Sequence, residues 1–213
     1  SAWLLKDVQM EYLQEKFAKK GLMILYTAPW PGQGFYTKFP VNSVSDFKGK
    51  KLRIYSTATQ QMGSMLGFNA TILPFAEIPQ AFSTGLIEAL FTSPQTGIDI
   101  QAWDNTKHFT YAGAIFSKNA VVVTKKAFNA LSKGDQSNIL AAAKRAELRG
   151  WEMSAETTKK QIGILKKNGM SSKNAPDEVI SKMKSIGLEM MKNWRSKASP
   201  EANAVLDRYL SMR

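Results

Sequence analysis

The chain reads as an α/β protein organised on a parallel sheet, and three observations predict it. Between Lys51 and Phe91 three short apolar runs, 51–55, 70–73 and 86–91, are separated by two helical patterns. Each helical pattern closes on a glycine, Gly67 or Gly85, the residue that ends helices at least steric cost. Strands that alternate with helices need crossover connections, which make neighbouring strands parallel and place ligands beyond their carboxyl ends.

Residues 3–19 read as an amphipathic helix with Leu4, Val8, Tyr12 and Phe17 on one stripe, a face that needs a partner. Residues 22–26 and 35–39 read as strands. In Lys51-Leu52-Arg53-Ile54-Tyr55, period-two geometry sends Leu52 and Ile54 to one face and Arg53 to the other, toward a cleft or solvent. A guanidinium is a permanent, forked donor suited to a carboxylate. Ser56-Thr57-Ala58-Thr59 offers N-caps for a helix to about Leu66, Pro74-Phe75 leads into a helix of about 77–84, and the third run ends in Thr92-Ser93-Pro94. Arg53, Phe75 and Thr92 are therefore expected to converge at one sheet edge.

Asp99 and Asp104 fall on a further helical stretch. Residues 114–124, with Ala120-Val121-Val122-Val123, read as a strand that crosses between domains, as does 35–39. Ser132 and Asp135 have the spacing of a capping box for a helix reaching about Lys167, on the order of 50 Å long. Its apolar stripe through Ile139, Ala143, Ala146, Gly150 and Met153 is displaced at Thr158, Ile162 and Leu165. Packing on two domains in turn, or a kink at Gly150, explains such a shift. Residues 177–197 and a segment opening at Ser199-Pro200 are two more amphipathic helices, and Arg213 reads as a natural end. With no internal repeat or low-complexity linker, the domains are interleaved in sequence.

The 213 residues suffice for one large or two small cores. No cysteine is present, which excludes disulfides and thiolate metal sites. No apolar run is long enough to span a bilayer, and no secretory signal opens the chain, since Ser1-Ala2-Trp3 leads directly into the amphipathic segment. The net charge of +12 raises a nucleic-acid-binding domain as an alternative. The lysines are dispersed, however, as in Lys48, Lys50 and Lys51 or Lys159 and Lys160, and solvated helix faces account for them. An enzyme acting on a small acid is a further alternative. His108 is the lone histidine, no nucleophile elbow or phosphate loop occurs, and Glu77, Glu88, Asp99 and Asp104 suit structural or exposed places. No catalytic residue, metal or cofactor is expected.

Three motifs carry a family resemblance: Asp46-Phe47-Lys48-Gly49-Lys50-Lys51-Leu52-Arg53, Leu73-Pro74-Phe75-Ala76-Glu77 and Thr84-Gly85-Leu86-Ile87-Glu88. Together with 119–128 and Leu131-Ser132, they resemble the extracytoplasmic solute-binding proteins of TRAP transporters, the DctP family. The ordered resemblance runs from Trp3 to Arg213. It implies a two-lobe, periplasmic-binding-protein-like clamshell with interleaved domains and a long helix spanning both lobes. A first lobe left incomplete by an absent N-terminal portion is implied as well, residues 1–32 and 119–157 being its remnant. Residues 33–118 and 158–213 would form lobe II. The implied function is periplasmic capture of an organic acid and its delivery to membrane subunits of the transporter, by a monomer that does not itself span the membrane or bind nucleic acid.

On that resemblance Arg53 takes the position of the carboxylate-pairing arginine, Phe75 lines the cavity, and Thr92, with Ser93 beside it, stands where many members have asparagine. Threonine offers one donor where the amide offers two. A second arginine of many relatives is replaced here by the stretch Trp30-Pro31-Gly32-Gln33-Gly34-Phe35-Tyr36. One fewer cation favours a monocarboxylate, and Trp30, Phe35 and Tyr36 offer flat walls for an aromatic acid, with Gln33 reaching in from the hinge side.

Overall fold

The computed structural model describes residues 2–212. Ser1 and Arg213, the residue expected as the natural end, lie outside the described residues. In chain order the elements are α1 (Ala2–Ala18), β1 (Leu22–Pro29), β2 (Gln33–Thr37), β3 (Lys51–Ile54), α2 (Thr57–Met65), β4 (Asn69–Ile72), α3 (Ile78–Ser83), β5 (Ala89–Thr92) and α4 (Pro94–Asp99). They continue with β6 (His108–Ala114), β7 (Lys118–Thr124), α5 (Lys125–Asn129), α6 (Lys133–Lys167), β8 (Ser171–Asn174), α7 (Asp177–Arg195) and α8 (Pro200–Ser211), with single 3-10 turns at Val44–Phe47, Phe75–Glu77 and Ala102–Asp104.

The chain divides into two units, one of residues 1–30, 116–155 and 194–213, the other of residues 31–115 and 156–193. Residues 194–213 were expected with the second lobe. They belong instead to the first unit, because α8 packs along α1. Strands 35–39 and 114–124 were expected to cross between domains. In the structure β2 lies wholly in the second unit and β7 wholly in the first, and 114–124 is not one strand. It is broken at 115–117, where Ile115 takes a left-handed φ of 55°.

In the first unit β1 and β7 form an antiparallel pair with a bulge between Ile24 and Tyr26. The stripe foreseen on α1 finds partners here: Val8 is buried, α1 rests on α8 and β1, and the Trp3 ring meets Trp151 edge-on at 5.1 Å. Beneath α1 a charged cluster ties three segments together. Lys6 pairs with Glu147 at 3.2 Å, and Glu147 accepts from Thr27 N (2.9 Å) and Thr27 Oγ1 (2.7 Å). Trp151 Nε1 donates to the same Thr27 hydroxyl.

The second unit is built on a six-stranded sheet in the order β4-β3-β5-β2-β6-β8. The parallel β3, β4 and β5 with their crossover helices form as expected. β2, however, enters antiparallel between β5 and β6, so the sheet is mixed. One side of the sheet carries Phe35, Leu52, Ile54 and Phe91 against α2 and α7; the other carries Tyr36, Leu90 and Phe109 against Ile78, Phe82 and Leu165. Each such side chain contributes on the order of 1.5–3 kcal/mol by leaving water. Gly67 and Gly85 close α2 and α3 at φ 97° and 70°, where only glycine is unstrained.

Candidate functional site

The register fixes the face on which Arg53 stands. Arg53 is paired with Thr71 on one side and Leu90 on the other, Leu90 with Tyr36, and Tyr36 with Phe109. Residues in one transverse row share a face. Arg53 therefore belongs to the side opposite Leu52 and Ile54, as period two requires. That side is covered rather than open to water, and Arg53 is only 5% exposed.

A buried guanidinium needs its donors met. Arg53 Nε donates to the Leu73 carbonyl oxygen at 3.1 Å, and its carbon centre lies 5.9 Å from the Tyr55 ring centroid. Among the described residues no Asp or Glu pairs with it. Burial accordingly pushes the guanidinium below its ordinary value, with Tyr55 acting in the opposite sense. A half-satisfied, desolvated cation at the carboxyl ends of parallel strands is chemically able to accept an anion as its missing partner.

Thr92 ends β5, the neighbour of β3, and is buried at 5% exposure with no side-chain hydrogen bond to another described residue. Phe75 begins the 3-10 turn two residues after Leu73 and is exposed, so its ring is available at the same edge. Arg53, Thr92 and Phe75 are thus brought to one edge of the second unit.

Three other expected contacts have different work. Tyr36 is not a wall open to a ligand: it is fully buried, its ring 4.4 Å from that of Phe109 and its hydroxyl donating to the Ser93 carbonyl at 3.2 Å. Burial raises that phenol well above its ordinary value. Phe35 is likewise core, packed at 4.8 Å on both Phe47 and Phe91. Ser93 caps α4, its Oγ accepting from Thr96 N at 3.1 Å and forming a hydroxyl–hydroxyl hydrogen bond with Thr96 Oγ1 at the same distance.

Gln33, expected to reach a ligand from the hinge side, spends its amide inside the unit. Its Oε1 accepts from the Tyr55 hydroxyl at 2.8 Å and its Nε2 donates to the Ile115 carbonyl at 3.1 Å. Trp30 lies in the first unit, half-buried, with Nε1 donating to Asn119 Oδ1 at 3.3 Å. Tyr55 is the neighbour of Arg53 that sequence reasoning missed. Its signal was present, since an aromatic two residues beyond a strand arginine stands at the same strand end. Asp99 closes α4 while Asp104 closes a separate 3-10 turn, so the two do not share a helix.

The whole chain bears comparison with known proteins. Residues 1–197 match the model of the bacterial extracellular solute-binding proteins, family 7, DctP. A crystal structure of DctP7, a Bordetella pertussis extracytoplasmic solute receptor binding pyroglutamic acid, superimposes with a TM-score of 0.94 at 36% identity, covering 98% of this chain and 69% of that one. A marine metagenome TRAP solute-binding protein specific for pyroglutamate gives 0.91 at 32% identity, over 98% and 68%. A solute-binding protein of Chromohalobacter salexigens is 26% identical over 160 residues, and the aligned region is 71% of this chain but only 47% of that relative. The fold is that of the TRAP periplasmic binding proteins, and the chain belongs to the DctP family of bacterial extracellular solute-binding proteins.

Proposed function

We propose that this chain is the ligand-gripping part of a periplasmic TRAP-transporter solute receptor, and that it captures a small organic monocarboxylate for delivery to membrane subunits. The observation that carries the reading is Arg53: a buried guanidinium with one donor on a carbonyl and no acidic partner among the described residues. A carboxylate completes it. Thr92 supplies one hydroxyl beside that carboxylate, and Phe75 supplies an apolar wall.

Among monocarboxylates, pyroglutamate is the acid proposed. Two solved relatives that are 36% and 32% identical bind it, and its small lactam ring suits a site with a single cation. No helix among the described residues is long and apolar enough to cross a membrane, consistent with a receptor that works beside membrane subunits. The reading involves no chemical step.

Isothermal calorimetry with pyroglutamate tests it. A charge-assisted hydrogen bond to a buried group contributes about 1.5–3 kcal/mol, so Arg53→Ala should weaken binding by at least about tenfold. Unchanged affinity in that variant would exclude Arg53 as the carboxylate partner.

A further inference from the structure

The Arg53 guanidinium is held at one corner and open at the others. Its Nε donates to the Leu73 carbonyl oxygen, while neither Nη group makes a hydrogen bond to a described residue. The Nη groups are nevertheless absent from the side-chain atoms sealed in the interior without a partner, so a small anion is not walled off from them. A long side chain used in this way loses rotamer freedom when its anion arrives, unless the fold has fixed it beforehand.

Tyr55 is placed to do the fixing. It follows Arg53 by two residues, is half-buried, and has the guanidinium carbon over its ring at 5.9 Å from the centroid. The ring is itself tethered. Gln33 is 2% exposed, so its amide must find partners within the protein. The Ile115 carbonyl can only accept, so Gln33 turns Nε2 toward it, at 3.1 Å. Gln33 Oε1 is thereby left facing Tyr55, and the phenol must donate to it, at 2.8 Å. Ile115 is a firm anchor for this series, since a β-branched residue keeps its left-handed φ of 55° only where the surroundings impose it. Arg53, Tyr55, Gln33 and Ile115 all belong to the second unit. The Tyr55 hydroxyl is committed to Gln33, and the ring is what it offers Arg53.

We infer that Tyr55 is a positioning residue of the anion site: tethered by Gln33, its ring sets the direction of the Arg53 guanidinium before a carboxylate arrives. The inference rests on the carboxylate reading of Arg53 and deepens it, because affinity for the acid then depends on a side chain that acts through the arginine. A cation over an aromatic ring is attracted more strongly once desolvated, and Arg53 is 5% exposed.

Calorimetry with pyroglutamate and the nitrogen–proton NMR signal of the Arg53 Nε–H test it together, both on the full chain. The signal is assigned by its loss in Arg53→Lys, and its exchange with water is measured without ligand. Tyr55→Leu removes the ring and should weaken binding about tenfold while speeding exchange of the Arg53 Nε–H. Tyr55→Phe keeps the ring, loses the tether and changes little volume, so it carries the test even if the leucine variant does not fold. It should weaken binding about threefold, with a smaller gain in exchange. Weakened binding with an unchanged Arg53 signal overturns the inference, since Tyr55 would then act on the acid or on packing and not through Arg53. Parent-like affinity in Tyr55→Phe also overturns it and leaves the role of Arg53 standing. Parent-like affinity in Arg53→Ala overturns the carboxylate reading, and the inference with it.

Discussion

Gly97 and Tyr36 show how single residues hold the edge on which Arg53 stands. The Tyr36 ring is wholly enclosed, with its hydroxyl tied to the Ser93 carbonyl, so it cannot yield. A Cβ on Gly97 would overlap that hydroxyl and its ring carbon. Helix propensity alone favours alanine by about 1 kcal/mol, but overpacking a fixed ring costs about 1–3 kcal/mol, so the clash wins. Gly97→Ala should lower stability in urea denaturation, whereas Gly163→Ala on α6, where nothing lies within 4 Å of the new methyl, should raise it by about 0.5–1 kcal/mol. Stabilisation by both substitutions would refute the packing described. The same enclosure explains what the sequence could reveal about the site. Arg53 was legible because strand period alone separates it from Leu52 and Ile54. Tyr36 was not, because every residue of β2 is buried and Phe35 and Tyr36 enter opposite cores, so no alternation marks which aromatic meets a ligand.

Among the elements, α6 was the most legible, since a capping box and a long periodic stripe fix both its start and its extent. Ser132 Oγ accepts from Asp135 N at 3.1 Å and donates to the Asp135 carboxylate at 2.7 Å. The helix then runs from Lys133 to Lys167, with residues 133–155 belonging to one unit and 156–167 to the other, where the stripe shifts. Ser132→Ala removes the cap and should cost about 1 kcal/mol in chemical denaturation, with Ser132→Thr retaining most of it; an alanine variant as stable as the parent would show that the cap contributes nothing. β8 escaped sequence reading altogether. Ser171-Ser172-Lys173-Asn174 has no apolar alternation, being an edge strand whose ladder is the parallel pairing to β6. The antiparallel insertion of β2 was equally hidden, since strand pattern records burial and not direction.

Stability of the whole molecule against acid should depend visibly on the charged cluster beneath α1. Burial works to raise the Glu147 carboxyl, yet the hydrogen bonds from Thr27 and the pairing with Lys6 outweigh it and hold the group below its ordinary value of 4.5. A carboxyl depressed on folding stabilises fully above pH 4.5 and loses that contribution as pH falls through the folded value. Lys6 has the opposite sign. Burial lowers it, but Asp7 and Glu147 raise it above 10.5, so its contribution is complete below pH 10.5 and is lost as pH rises through the folded value. Between these limits the pair contributes a constant amount. Hydrogen bonds to a charged group contribute about 1.5–3 kcal/mol, so Glu147→Gln, which keeps an acceptor for Thr27 but loses the charge facing Lys6, should destabilise by about 2 kcal/mol at neutral pH. Asp46, depressed by the backbone amides of Asn42 and Ser43, keeps some acid dependence in the variant. Urea titrations across acid pH should therefore show the parent and Glu147→Gln converging as pH falls below 4.5, with a shallower slope for the variant. Parallel curves down to the acid limit would mean that Glu147 is not held in its charged form by the fold, and that the tie between α1, β1 and α6 is not electrostatic.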